Sequence, residues 1–123
     1  MQNEKEKFKE NFIKRCIVFT IKILRFADKL KSNRVYWPIA DQLIRSASSI
    51  GANIVEAKAS SSRRDYLHFF EIALKSANET KYWLIVIKES DIEFRNEADS
   101  LLHEADELSR VIGSSVLTLK GKK

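Results

Sequence analysis

Residues 66–87 read YLHFFEIALKSANETKYWLIVI, and the spacing of their apolar positions decides the architecture. Tyr66, Phe70, Ala73, Ala77, Thr80, Leu84 and Ile87 step by four and three without a break, which puts them on one stripe of an α-helix. Phe69, Ile72, Leu74 and Trp83 fall beside that stripe and widen it to the face a bundle helix buries. Upstream, Ser60-Ser61-Ser62 followed by Asp65 reads as a turn and a capping box. A serine oxygen can accept a backbone N–H there, and a carboxylate is favoured at the positive end of the helix. Ser90-Asp91 breaks the series downstream, so this helix is expected over residues 62–89.

The same steps recur on either side. Phe12, Cys16, Phe19, Ile23, Phe26 and Leu30 form the stripe of a first helix over residues 5–31. Ile13, Ile17, Thr20, Leu24 and Ala27 repeat the step one position along, so the expected buried face is wide. Val18 and Ile21 lie off that face among charges and suggest a second contact surface. Ser32-Asn33 breaks the pattern, and Pro38 suits the first turn of a second helix, residues 38–59, where its missing N–H costs nothing. Leu43, Ala47, Ile50 and Ile54 carry that helix, with Ile39, Ile44 and Val55 flanking. Ala40, Ala47, Gly51 and Ala52 keep its surface small enough for a close neighbour. A fourth helix, residues 94–120, carries Leu101, Ala105, Leu108, Ile112, Ser115 and Leu119 and tolerates Gly113 at a cost of ~1 kcal/mol. Three glycines and one proline in 123 residues leave little material for turns. The expectation is therefore all-α: one domain, residues 1–123, folded as an antiparallel up-down-up-down four-helix bundle.

Cys16 is the one cysteine, so no intrachain disulfide is available, and a reducing, cytoplasmic setting is expected. The opening MQNEKEKFKENF lacks the basic region and apolar run of an export signal. Apolar runs are interrupted by Lys22, Arg25 or Lys88 well short of the ~20 residues a membrane span needs, so no membrane partner is expected. Net charge is +5, unevenly laid out: residues 5–31 hold nine Lys/Arg and three Asp/Glu, residues 89–107 eight Asp/Glu and one Arg. Either the two segments lie side by side and screen each other, or the basic face meets phosphate.

Catalytic templates fail one after another. Di-metal bundles need Glu-x-x-His on two helices, whereas Asp65-x-x-His68 is the nearest approach here and Ser100 stands three before His103. Cys16 falls in the core stripe, where a thiol behaves as a small hydrophobe. The glycines at 51, 113 and 121 are isolated and make no phosphate-cradling loop. The chain is not expected to be an enzyme, and no cofactor or metal is expected.

Two polar constellations remain. Asn53 and Glu56 on the second helix, with Ser76, Asn78 and Glu79 on the third, sit beside core positions. Asn53, Glu56, Ser76 and Glu79 read as a buried or half-buried hydrogen-bond network fixing helix register, with Glu56 or Glu79 also able to meet an arginine of another subunit. On the first helix an advance of about 100° per residue puts Lys7, Lys14, Arg15, Lys22, Arg25 and Lys29 in one arc. Arg63 and Arg64, with Lys58 nearby, add a second basic cluster. Lys14, Lys22, Arg25, Lys29, Arg63 and Arg64 are the candidate nucleic-acid contacts; with no RNA-recognition aromatic motif, they would touch phosphates rather than bases.

Residues 42–50 (QLIRSASSI) and 52–57 (ANIVEA) resemble the four-helix bundle family encoded in intervening sequences of bacterial 23S ribosomal RNA genes, which reads close to Q-L-x-R-A-x-x-S-I-x-x-N-I-x-E-G. Residues 62–79 (SRRDYLHFFEIALKSANE) are similar to its S-x-x-E-F-x-x-F-x-x-I-A-x-G-S-x-x-E block. Ala57 and Lys75 stand where the family usually has glycine, Asp65 where it has glutamate, and Gly51 where proline is common. The resemblance implies a homopentamer around a central axis, and similarity to accessory proteins of diversity-generating retroelements, basic pentamers that bind nucleic acid and a reverse transcriptase. The functional expectation is a non-enzymatic oligomer that binds RNA or DNA without sequence specificity. The alternative is a protein-interaction scaffold with no nucleic-acid role.

Overall fold

The computed structural model describes residues 3–121. Among them four helices, α1 (Glu4–Leu30), α2 (Trp37–Ala59), α3 (Arg63–Ser90) and α4 (Arg95–Leu119), form an all-α bundle, with one 3₁₀ turn at Arg34–Tyr36. Lys122 and Lys123 lie outside the described residues. Consecutive helices pack on one another in a ring; α1 packs broadly on α2 and only thinly on α4, which closes the ring. The connections are too short to reverse this order, and α1 and α3 begin at the same end, where Lys9 Nζ lies 4.9 Å above the Tyr66 ring.

Local chemistry sets the ends. Asn3 Oδ1 accepts the Glu6 N–H at 2.8 Å and starts α1. Ser62 Oγ accepts the Asp65 N–H at 3.0 Å, so the serine turn caps α3 as read, one residue before the helix proper. Pro38 stands in the first turn of α2. The connections near Tyr36 and Phe94 do more than turn. Both rings are buried, Phe94 lies edge-on to Phe26 and Tyr36, and the Tyr36 and Ser90 hydroxyls hydrogen-bond at 2.7 Å. This plug ties both loops of one end into the core.

The first stripe of α1 is buried throughout, from Phe12 to Leu30, and meets Leu43, Ile50, Leu84, Ile87, Leu108 and Ile112. The second stripe departs from the expectation of a wide buried face. Ile17 and Leu24 are 52% and 47% exposed and join Val18 and Ile21 on the surface. A helix with one close neighbour and one distant one can bury only a narrow sector. Val55 of α2, 48% exposed, lies beside them. Between α1 and α2 the approach is close at Gly51, where an added Cβ would stand 3.0 Å from Cys16 Cβ. A side chain at Gly51 would force the two helices apart.

Hydroxyls register α2 against α3. Thr80 and Ser46, both buried, bond at 2.9 Å, and Ser76 Oγ donates to Ser49 Oγ at 2.8 Å. Asn53 Nδ2 donates to Ser49 O and Oγ at 2.8 and 3.0 Å, so it joins the network through its own helix. Glu56 does not: it is exposed and makes no hydrogen bond or ion pair among the described residues. It lies three residues from Asn53 on a sector that has turned away from α3. Glu79 meets an arginine of its own chain, Arg45, which also holds Gln42, and accepts the Trp83 indole N–H at 3.2 Å.

Candidate nucleic-acid interface

Around α1 the outward surface divides into two arcs. Taking Ile13 as origin, Ile17, Leu24 and Ile21 fall within about 80° on the side toward α2, and Lys14, Arg25, Lys29, Lys22 and Arg15 occupy the next ~100° toward α4. Val18 sits within the cationic arc.

The α4 carboxylates claim part of that arc. Arg15 donates to Glu104 through Nε at 2.8 Å and Nη2 at 2.7 Å, and Nη2 also reaches Glu107 at 2.8 Å. The hydrogen bond from Arg15 holds the Glu104 carboxyl below its usual range, and the same contact raises the guanidinium further. Lys29 Nζ reaches Glu97 at 3.0 Å. Two further acids of the segment turn the other way: Asp99 pairs with Lys88 at 2.7 Å, and Asp106 with Lys81 and Arg110 at 3.3 and 2.8 Å.

Of the expected contacts, Lys14, Lys22 and Arg25 are therefore exposed with no hydrogen bond or ion pair among the described residues, while Lys29 is engaged. Lys22 and Arg25 line a shallow recess with Lys29, Glu97 and Ser100. Arg63 and Arg64 stand apart from this group, at the start of α3 and the opposite end of the bundle from Lys29, with Arg63 donating to the Leu119 carbonyl at 3.0 Å.

Cys16 is 1% exposed, and burial pushes its thiol up to about 12, which keeps it protonated at neutral pH. His68 is exposed on α3, and His103 lies 3.7 Å from Asp99. Among the described residues no three His, Cys, Asp or Glu side chains are grouped to hold a metal ion, and no helix is long and apolar enough to cross a membrane.

The fold and this surface define an antiparallel helical bundle with a split apolar and cationic face on its first helix. The 23S rRNA-intervening sequence protein family profile matches residues 9–114, and the chain belongs to that family. A solved structure from Bacteroides thetaiotaomicron VPI-5482, described as a protein of unknown function from the S23 ribosomal protein family, is 30% identical and superposes with a TM-score of 0.80. The match covers 85% of this chain and 97% of that one. No curated protein matches.

Proposed function

We propose that this chain is a non-enzymatic binding module whose copies assemble through the apolar arc of α1 and the adjoining α2 surface. The assembly then holds RNA or DNA by its phosphates through Lys14, Lys22 and Arg25. The supporting observation is the division of α1: after α4 has engaged Arg15 and Lys29, three neighbouring cations form no ion pair among the described residues, with only Lys22 near enough to Glu104 to help hold that carboxyl down, and they stand beside an apolar strip built from Ile17, Ile21, Leu24 and Val55. Solvated carboxylates on the same helix would have served solubility equally well; a row of unpaired cations suits a polyanion. Five copies around an axis, as the family resemblance implies, would repeat the row and add weak sites by avidity.

Filter binding of the full chain to single- and double-stranded RNA and DNA at two salt concentrations tests this. Three phosphates neutralised per subunit give a slope of log K against log salt near −3, and near −5 where two subunits contact one strand. Lys14→Ala and Arg25→Ala should each reduce the slope by about one per subunit engaged. No binding at ~50 mM salt overturns the nucleic-acid reading. The strip Ile17, Ile21, Leu24 and Val55 would then support the second reading, a protein scaffold whose partner, such as a reverse transcriptase, docks on α1.

A further inference from the structure

The stripe of α4 runs Leu101, Ala105, Leu108, Ile112, Ser115 and Leu119, and at Ser115 a small hydroxyl stands where the spacing calls for a large apolar side chain. Its Oγ turns back to the Val111 carbonyl at 3.1 Å, so it does not fill the layer. Because α1 packs thinly on α4, no neighbour moves in to compensate. The result is a cavity of about 220 Å³ at the end of the bundle where α1 and α3 begin. All four helices contribute walls, among them Phe12, Ile54, Phe70 and Val111. An apolar cavity of roughly 150 Å³ holds benzene, so this one takes a larger apolar group.

The mouth has a charge. Among the described residues no carboxylate lines the cavity, whereas Lys5, Lys9 and Lys58 do. Lys58 is drawn toward Glu10 at 3.7 Å, and Lys9 lies over the Tyr66 ring. Neither Lys5 nor Lys9 has a carboxylate partner among the described residues. Both also border a shallower recess with Ser115 and Thr118, which extends the site outward past the lysines.

We propose that this cavity binds one medium-chain carboxylate of roughly eight to ten carbons, its alkyl chain against Phe12, Ile54, Phe70 and Val111 and its carboxylate at Lys5 and Lys9. Apolar walls alone would accept any hydrocarbon. The two ammonium groups at the mouth, neither with a carboxylate partner among the described residues, select the anion. The site is separate from Lys14, Lys22 and Arg25 and does not depend on nucleic-acid binding.

Calorimetric titration of the full chain with decanoate, below its micelle concentration, tests the proposal against decylamine as the cationic counterpart. The expected result is saturable binding of one decanoate per chain, with decylamine at least about tenfold weaker. Lys5→Ala/Lys9→Ala changes the exposed Lys5 and the half-buried Lys9 and should weaken decanoate by about tenfold with the fold retained, which a cooperative thermal melt verifies. Ser115→Leu fills the layer and should abolish binding while raising the melting temperature; if that variant does not fold, the lysine pair decides alone. Ile17→Lys, on the α1–α2 strip, should leave decanoate binding intact. Non-saturable uptake, equal binding of decylamine, undiminished binding by the lysine double variant, or loss with Ile17→Lys would each overturn the assignment.

Discussion

Gly51→Ala is the substitution for which helix propensity and packing give opposite signs. Alanine is worth about 1 kcal/mol more than glycine in a helix interior, so an uncrowded site would gain that much. Here the new Cβ would stand 3.0 Å from Cys16 Cβ. Carbon atoms in ordinary contact are about 3.5–4.0 Å apart, so the Cys16 side of the contact must give by a few tenths of an ångström. Cys16 Cβ is bonded directly to the α1 backbone and cannot rotate out of the way. Overpacking of this kind costs roughly 1–3 kcal/mol, which leaves a net destabilisation of ~0–2 kcal/mol after the propensity gain. The decisive comparison is a double-mutant cycle with Cys16→Gly, which removes the opposing atom and should let Gly51→Ala recover its ~1 kcal/mol gain. Urea unfolding of the four proteins at one concentration measures the coupling, expected at about 1–3 kcal/mol. If Gly51→Ala stabilises both backgrounds equally, α1 and α2 are not in contact at this point and the account of the glycine is wrong.

Glu104 is held below its usual range by Arg15, so the folded state binds that proton less readily than the unfolded chain. Its contribution is present above the ordinary glutamate value of about 4.3 and is lost as pH falls through the lower folded value, so Glu104→Gln should lower stability by about 1 kcal/mol at pH 7 and flatten the acid limb of the melting curve. Thr80→Val or Ser46→Ala alone should cost about 1 kcal/mol by removing the bond between the two hydroxyls, the survivor keeping only its bond to a carbonyl of its own helix (Thr80 to Ser76, Ser46 to Leu43), and the two together less than their sum; equal additivity in thermal melts would contradict the 2.9 Å bond. Glu56→Ala, at an exposed and unpartnered site, should stay within ±0.5 kcal/mol of the parent, about the range for surface changes, and a larger loss would mean that Glu56 has a partner beyond one chain. Light scattering should give a closed oligomer, about 71 kDa for five copies of 14.2 kDa, that Ile17→Lys/Ile21→Lys reduces toward the monomer; a parent already monomeric at micromolar concentration contradicts the assembly.

The parts of the fold legible in sequence are those that local periodicity determines. The unbroken series from Tyr66 to Ile87 and the cap at Ser62 needed no knowledge of neighbours. The second stripe of α1 was ambiguous because apolar spacing gives the width of a face but not the number of helices available to cover it. Whether Arg15 and Lys29 would be free or paired likewise depended on α4 lying alongside, which no spacing within α1 encodes. Ser46 carried a signal that was missed: it lies three residues after Leu43 and four before Ile50, at core spacing, as Thr80 does on α3. Two hydroxyls at core positions of successive helices point to each other. Glu56, by contrast, shares a helix face with Asn53 yet lies far enough around it to reach solvent.

The thin seam between α1 and α4 has a consequence for how the chain breathes. Amide protons exchange through the smallest opening that exposes them, and the element with the fewest neighbours opens at the lowest free energy. α1, held mainly from the α2 side, should exchange faster than α2 and α3, whose registers are pinned by Ser46, Ser49, Ser76 and Thr80. Any copy docking on its exposed strip supplies the missing neighbour. Protection of α1 would then rise with protein concentration while that of α3 stayed constant, so that this helix reports assembly through its own rate of opening.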